Sequence, residues 1–277
     1  MEARTKNFKN VLLQWYKTNK REYAWRHISD PWSIYLLEVI SQQTQLERAD
    51  KYFRRFINEF PTPNDMATTS FKKILEIWSG LGYNSRAKRM FDSSKIIAEK
   101  SFDGLYPNFQ QLPGVGPYTE NAILSFAYNE KVITQDVNVK RIISRYFGVD
   151  NPRKYIDAIS PLLLKNTNSR KLNQALMDFG SSICKPRSPL CLDCPLEDTC
   201  DKYFNFETKP SEKFSGSNRE IRGNLIKLLL KKGALKVKTI QQELDTDKDR
   251  LNEILEKMQK DGLVMLNNNN LVEINPS

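Results

Sequence analysis

All four cysteines of the 277-residue chain fall in one stretch, CKPRSPLCLDCPLEDTC, as Cys184, Cys191, Cys194 and Cys200. Thiols confined this closely, among prolines and charges, suit a shared metal; disulfide cysteines and buried free thiols are usually more scattered. Four thiolates serve zinc or a 4Fe-4S cluster equally well, and either would pin a loop that has few apolar residues of its own. Lys185 and Arg187 sit beside the thiols as ordinary basic residues that phosphate could meet.

A second stretch, LPGVGPYTENA from Leu112 to Ala122, sets two glycines and two prolines ahead of an apolar helix. Gly114 and Gly116 allow positive φ, and Pro117 suits the first helical position. Such a turn aims unpaired N–H groups outward with the helix dipole behind them, which holds phosphate; a plain tight connection has the same composition. Two carboxylates stand out. Glu38 lies in IYLLEVI, where apolar neighbours would desolvate it and keep a proton available near neutral pH, although the polar face of an amphipathic helix is its ordinary place. Asp136 follows VITQ and precedes a helix, the position of an N-cap. His27 is the single histidine, which excludes a Ser-His-Asp triad.

The elements carrying these residues are helical. Apolar residues recur at helical spacing at Phe8, Val11, Leu12 and Trp15, then over Trp32 to Ile40, Phe53 to Ile57, Ile74 to Trp78, Ala122 to Ala127 and Val139 to Phe147. With 39% apolar and 10% aromatic residues the chain should bury a real core. No apolar run has membrane-spanning length, and the N-terminus lacks a signal peptide, so a cytosolic protein is expected. The formal charge of +10 favours a polyanionic partner. Residues 218–277 hold 11 Lys+Arg against 9 Asp+Glu, which leaves +8 on residues 1–217. Residues 206–217 lose the periodicity and read as a linker. Beyond it, Ile221 to Leu230, Ile240 to Leu244 and Leu251 to Met258 read as helices, and LVMLNNNNLVEI as two strands around an asparagine turn. Three helices and a hairpin suggest a winged helix. Its third helix would read DNA, yet Asp249, Glu253 and Glu256 make that face acidic, so protein contact or packing is as open as base reading.

The cysteine spacing and the glycine turn together resemble the helix-hairpin-helix DNA glycosylases that carry an iron-sulfur cluster, the superfamily of endonuclease III and the MutY-type adenine DNA glycosylases. The resemblance runs from about Val11 to Cys200. Its MutY-like segments are AWR at Ala24, EVISQQTQ at Glu38, WSGLGYNSRAKRM at Trp78, LPGVGPYT, DVNVKRIISR at Asp136 and NQALMDFGSSIC at Asn173. It implies an all-α fold: a six-helix barrel with the hairpin over residues 30–135, an iron-sulfur helical domain from residues 1–29 and 136–205, and a small winged-helix-like α+β domain at 218–277 in place of the Nudix-like domain usual in MutY-type enzymes. It also tips the metal from zinc to 4Fe-4S.

By the same resemblance, Glu38 protonates the departing adenine and helps activate water, Asp136 stabilises the oxocarbenium-like sugar, and Asn138 orients them. Tyr118 stands where strand-cutting relatives have a lysine, so hydrolysis of the base without strand cleavage is implied. Gln43, with Gln42 beside it, matches the wedge that fills the gap left by an extruded base; Arg26 is a candidate contact to that base. Leu112, Gly114, Val115 and Gly116 would grip the DNA backbone, with Tyr83 and Lys140 as further DNA contacts. Three positions depart from the family pattern: Val137 replaces a glycine, Ser41 a leucine and Asn84 a tyrosine. The implied substrate is adenine opposite 8-oxoguanine or guanine in double-stranded DNA. The alternatives are a thymine or uracil mismatch glycosylase, or a non-catalytic iron-sulfur DNA-binding protein. The implied protein is a monomer, cytoplasmic at the nucleoid, with no membrane partner and with room for a protein partner on the tail.

Overall fold

The computed structural model describes residues 1–205 and 214–276; of the 206–217 linker, residues 206–213 lie outside the described residues. The helices are α1 Glu2–Asn19, α2 Pro31–Ser41, α3 Leu46–Glu59, α4 Pro63–Ala67, α5 Phe71–Trp78, α6 Ser85–Leu105, α7 Pro117–Phe126, α8 Val137–Phe147, α9 Pro152–Leu164, α10 Ser169–Ser182, α11 Asn218–Lys232, α12 Val237–Leu244 and α13 Lys248–Lys260. Two short strands follow, β1 Val264–Leu266 and β2 Val272–Ile274. The mostly helical fold with a small α+β tail is the one the sequence predicts. Among the described residues no helix is long and apolar enough to cross a membrane.

The chain divides into two compact units, one of residues 1–34 and 116–205 and one of residues 35–115 and 214–276. In the first, Val139, Ile142, Ile143 and Tyr146 recur at three- and four-residue spacing on α8, the stripe a helix buries. They pack with Phe8 and Leu12 of α1, Ile156 and Ile159 of α9, and Leu172 and Phe179 of α10. Asn173, fully buried on α10, accepts from the Thr134 amide at 2.9 Å and donates to Ser125 Oγ and the Val132 carbonyl, both at 2.9 Å. It therefore ties α10 to the segment that leads into Asp136.

In the second unit Phe53 and Phe56 of α3, Ile74, Leu75 and Trp78 of α5, and Met90 and Phe91 of α6 form the core. Phe56 meets Trp78 edge-on at 5.8 Å. A capping box between Thr62 and Asp65 starts α4. The tail buries Leu225, Leu229, Ile240, Leu251, Ile254 and Met258. Its hairpin is antiparallel, with Met265 opposite Glu273 and Leu266 opposite Val272, and a bridge joins Leu235 to Val272. Three helices and a two-stranded wing are thus present in the predicted order.

Candidate active site and cysteine loop

Asp136 is the N-cap of α8: its Oδ1 accepts from the Val139 amide at 2.7 Å. The other oxygen, Oδ2, accepts from Asn138 Nδ2 at 2.8 Å. Burial raises the carboxyl above the ordinary aspartate range, while the Val139 and Asn138 hydrogen bonds and the charge of Arg141 pull it back down. Capping and a chemical role are therefore compatible in one residue: one oxygen starts the helix and both are held in fixed directions. Val137, which stands where the family has glycine, is 63% exposed beside it.

Asn138 is itself held. Its Oδ1 accepts from Arg141 at 2.6 Å, and Gly180 of α10 packs so closely that an added Cβ would lie 2.6 Å from Asn138 Cβ. Arg141 is buried, and besides Asn138 it donates to the Gly180 carbonyl at 2.8 Å and to the Cys184 carbonyl at 2.8 Å. A continuous hydrogen-bonded path, Asp136 to Asn138 to Arg141 to Cys184, therefore joins the capping carboxylate to the first cysteine.

The cysteine loop is pinned by a second buried arginine of α8. Arg145 donates to Cys184 Sγ at 3.5 Å, to the Lys185 carbonyl at 2.7 Å and to the Pro186 carbonyl at 2.8 Å. Cys184, Cys194 and Cys200 pack against the core of the first unit. Burial pushes the Cys194 thiol up to about 11, and the charges of Cys200, Cys184 and Cys191 add to it, so the four sulfurs feel one another. Among the described residues no set of three or more such ligands closes on a single metal-sized centre. The donor set nonetheless fits a thiophilic metal group: four half-buried sulfurs on one loop, of which burial holds Cys194 and Cys200 as thiols that a cation would ionise.

In the second unit Glu38 is half-buried on α2 between buried Leu37 and Val39, in the apolar setting the sequence predicts. At the end of α2 the Ser41 carbonyl accepts from the Thr44 amide at 3.1 Å, and Gln43 takes a left-handed conformation, φ 53°, with its side chain exposed. Gln42 is half-buried, and its carbonyl accepts from Arg86 at 2.6 Å. Arg86, 6% exposed at the start of α6, also donates to the Val39 and Ile40 carbonyls at 3.0 Å each and to the Gly82 carbonyl at 3.3 Å. Burial pushes its guanidinium down to about 10. One side chain thus clamps the glutamine turn to the Ser79–Asn84 turn. There, Gly80, Gly82 and Tyr83 all have positive φ, and Tyr83 is 42% exposed. Asn84 precedes α6 without a side-chain cap.

In the glycine turn, Leu112 and Val115 are buried and the Val115 amide donates to the Leu112 carbonyl at 3.1 Å. Gly114 has φ 80°, and a Cβ there would lie 2.8 Å from Arg89 Cδ, so glycine is required on both counts. Gly116 differs from the expectation: its φ is −103°, extended backbone open to any residue, and a Cβ there would meet nothing within 4 Å. What Gly116 supplies is open space ahead of α7. Pro117 takes the first helical position as predicted, and Tyr118 is half-buried in the first turn.

One basic residue is placed otherwise than its motif suggests. Arg26 is 6% exposed and donates to Asp178 at 2.5 Å and to the Tyr16 hydroxyl at 2.8 Å, so its guanidinium is committed inside the first unit rather than offered to an extruded base. The fully buried Asp178 demands that pairing. Lys140, on α8, is half-buried and its ammonium is lowered by burial first and by Arg153 next.

A model of the HhH-GPD superfamily base excision DNA repair proteins matches residues 36–163, which include Glu38, Tyr118, Asp136 and Asn138. The adenine DNA glycosylase of Mycobacterium tuberculosis is 31% identical over 273 residues, covering 91% of this chain and 88% of its own. The chain belongs to the adenine DNA glycosylase family of the HhH-GPD superfamily. Within that family, the enzyme of Buchnera aphidicola subsp. Baizongia pistaciae is 35% identical over 211 residues, 72% of this chain, and this chain spans 59% of the Buchnera protein's length. Among solved structures a thermostable thymine-DNA glycosylase is 28% identical, with a TM-score of 0.65, over 73% of this chain and 97% of its own.

Arg86, Arg141 and Gly180 are site residues that motif reading passes over. Arg141 was legible as the helical i+3 neighbour of Asn138. Arg86 and Gly180 carry no comparable signal, because the Val39, Ile40 and Gln42 carbonyls and the Asn138 side chain are remote from them in sequence.

Proposed function

We propose that this protein is a monofunctional DNA glycosylase that hydrolyses the bond between adenine and deoxyribose where adenine is mispaired with 8-oxoguanine or guanine. The observation that carries it is Asp136, a partly desolvated carboxylate fixed by Val139 and Asn138. Such a group carries negative charge in a set direction to meet a positive sugar. Glu38, between Leu37 and Val39, gives its proton to the departing base as the C1′–N bond breaks. The electron pair leaves with the base, and Asp136 faces the charge left on C1′ and O4′. Water adds to C1′, and Glu38 takes a proton from it, which restores the Glu38 acid while Asp136 stays a carboxylate throughout. Tyr118 is a phenol and no amine to form a Schiff base, so the strand stays intact.

The amides of the Leu112–Gly116 turn grip the DNA backbone, with Lys140 as a second phosphate contact, while Gln43 and Gln42 fill the gap left by the extruded nucleotide and Tyr83 contacts DNA beside it. Cys184, Cys191, Cys194 and Cys200 hold a 4Fe-4S cluster, which supplies structural cross-linking of their loop. The protein works as a monomer on nucleoid DNA in the cytoplasm.

Purified protein incubated with duplexes carrying A:oxoG, A:G, T:G and U:G, then treated with alkali, tests the reading. Breaks at adenine after alkali, and none before it, are expected. Cleavage only at T:G or U:G would replace adenine by those bases, and no cleavage on any duplex would sink the glycosylase reading. Iron and sulfide analysis near four per chain is expected, and stoichiometric zinc would overturn the cluster.

A further inference from the structure

The tail has no assigned role, and one cleft against it is lined by its first helix rather than its third. A cleft of about 560 Å³ lies in the second unit between the Ser79–Asn84 turn and α11. A smaller volume of about 230 Å³ shares Gly82, Tyr83, Asn84, Arg219 and Gly223 with it, so the two are parts of one trough. Arg219 of α11 crosses that trough and donates to the Tyr83 hydroxyl at 2.8 Å. The lining is cationic: Arg48, Arg219 and Lys227 face a single carboxylate, Glu220, which is occupied by the Gly216 amide at 2.6 Å. Arg48 holds the carbonyl of Gly80.

Two features distinguish α11 from α13. On α11 five cationic side chains stand against one carboxylate, whereas α13 carries four against three, and its Arg250 is bound to Asn218 and Gly216. In addition, Gly223 lies in the interior of α11, where glycine costs about 1 kcal/mol relative to alanine. A Cβ at Gly223 would meet nothing within 4 Å, and the residue lines both volumes. No packing contact among the described residues explains the glycine; room in the trough does.

We propose that the trough between the Ser79–Asn84 turn and α11 seats the sugar-phosphate backbone of a DNA strand, with Arg48, Arg219 and Lys227 as phosphate contacts and Gly223 as the point of closest approach. The winged helix then meets DNA through its first helix, as an extension of the glycosylase surface, while α13 packs the tail. This rests on the DNA-repair reading above. A phosphate backbone fits because three cations, Arg48, Arg219 and Lys227, line the groove against one carboxylate that is already occupied, and Gly223 leaves open space beside them; the exposed rings of Tyr83 and Phe214 also line it.

The test is equilibrium binding of the full chain to a short fluorescent duplex containing one A:G pair, measured over a range of salt concentrations. Arg219→Gln keeps a donor for Tyr83 while removing the charge, and Lys227→Gln does the same on an exposed position. Each should lower the slope of log affinity against log salt by about 1, because each lost phosphate contact releases about one counterion fewer. Gly223→Leu should weaken binding at least tenfold while leaving the thermal midpoint equal or higher, since leucine favours helix. Unchanged affinity and slope in all three variants would overturn the proposal, and so would an acidic polypeptide competing while the DNA slope stays fixed. Base excision by the same preparations separates the two readings. If the wild type excises nothing yet the slopes change as stated, the glycosylase reading fails and the trough stands; if the wild type excises and the slopes do not change, the reverse holds.

Discussion

The side-chain amide of Asn138 donates to Asp136 Oδ2 over 2.8 Å while its carbonyl oxygen accepts Arg141 over 2.6 Å. The carboxylate is thereby aimed by a residue that cannot rotate without breaking a second, charge-assisted bond. Since Arg141 also holds the Cys184 carbonyl, the direction of Asp136 depends on the cysteine loop as well as on α8.

Asp136→Asn should abolish excision, by a factor of about a thousand or more, since a neutral amide cannot meet a cationic sugar. Stability should be unchanged or higher. Asparagine is an equal N-cap, and the raised wild-type carboxyl binds its proton more tightly folded than unfolded. Its contribution therefore falls as pH rises from the unfolded value of about 3.9 through the folded one. Thermal melts at several pH values check this: the variant's advantage should grow with pH across that window, and a variant less stable at neutral pH would contradict it.

The same shift has a kinetic signature. Asp136 must be ionised to act, so the acid limb of the single-turnover rate should lie above the ordinary aspartate range. A limb at or below about 3.9 would show that desolvation does not control this group.

Gly180→Ala should reduce excision about 10- to 100-fold with a stability loss of about 1–3 kcal/mol, because the new methyl overlaps Asn138. Denaturant titration and single-turnover kinetics together decide it. A full loss of stability with normal activity in the folded remainder would mean that Asn138 does not orient Asp136.

Arg86→Lys should weaken the clamp on the glutamine turn, since one ammonium cannot reach the Val39, Ile40, Gln42 and Gly82 carbonyls in the arginine's planar geometry. A loss of about 2–3 kcal/mol in stability and a lower affinity for mismatched duplex are expected. Urea unfolding and duplex titration measure both, and a variant with wild-type values would remove Arg86 from the site.

Asp178→Ala leaves Arg26 buried without its counter-charge and should cost about 3–5 kcal/mol. Replacing Arg26 and Asp178 together with apolar residues should recover much of that loss. If Arg26 touched an extruded base instead, single Arg26 variants would lower activity with little effect on unfolding.

Much of this protein is determined by local pattern. Helical spacing at Phe8 to Trp15 and Val139 to Phe147 gives α1 and α8 because one face of each must be buried. Pro117 opens α7, Asp136 caps α8 through a bond to the amide three residues on, and the asparagine turn between Leu266 and Leu271 brings β1 and β2 together. Four thiols in one loop announce themselves by composition. What the linear chain leaves open depends on approach between remote segments. Gly114 and Gly116 look alike in sequence, yet Arg89 crowds only the first, and only there is φ positive. Arg26 and Arg86 are equally charged in sequence, and burial gives one to Asp178 and the other to four main-chain carbonyls. Gly180 becomes a site residue only because α10 lies against Asn138, and Gly223 lines a trough only because α11 faces the turn at Tyr83. A residue's own helix and cap are fixed by neighbours within one turn; its partner across the core is fixed by which faces pack, and that is decided by the tertiary structure.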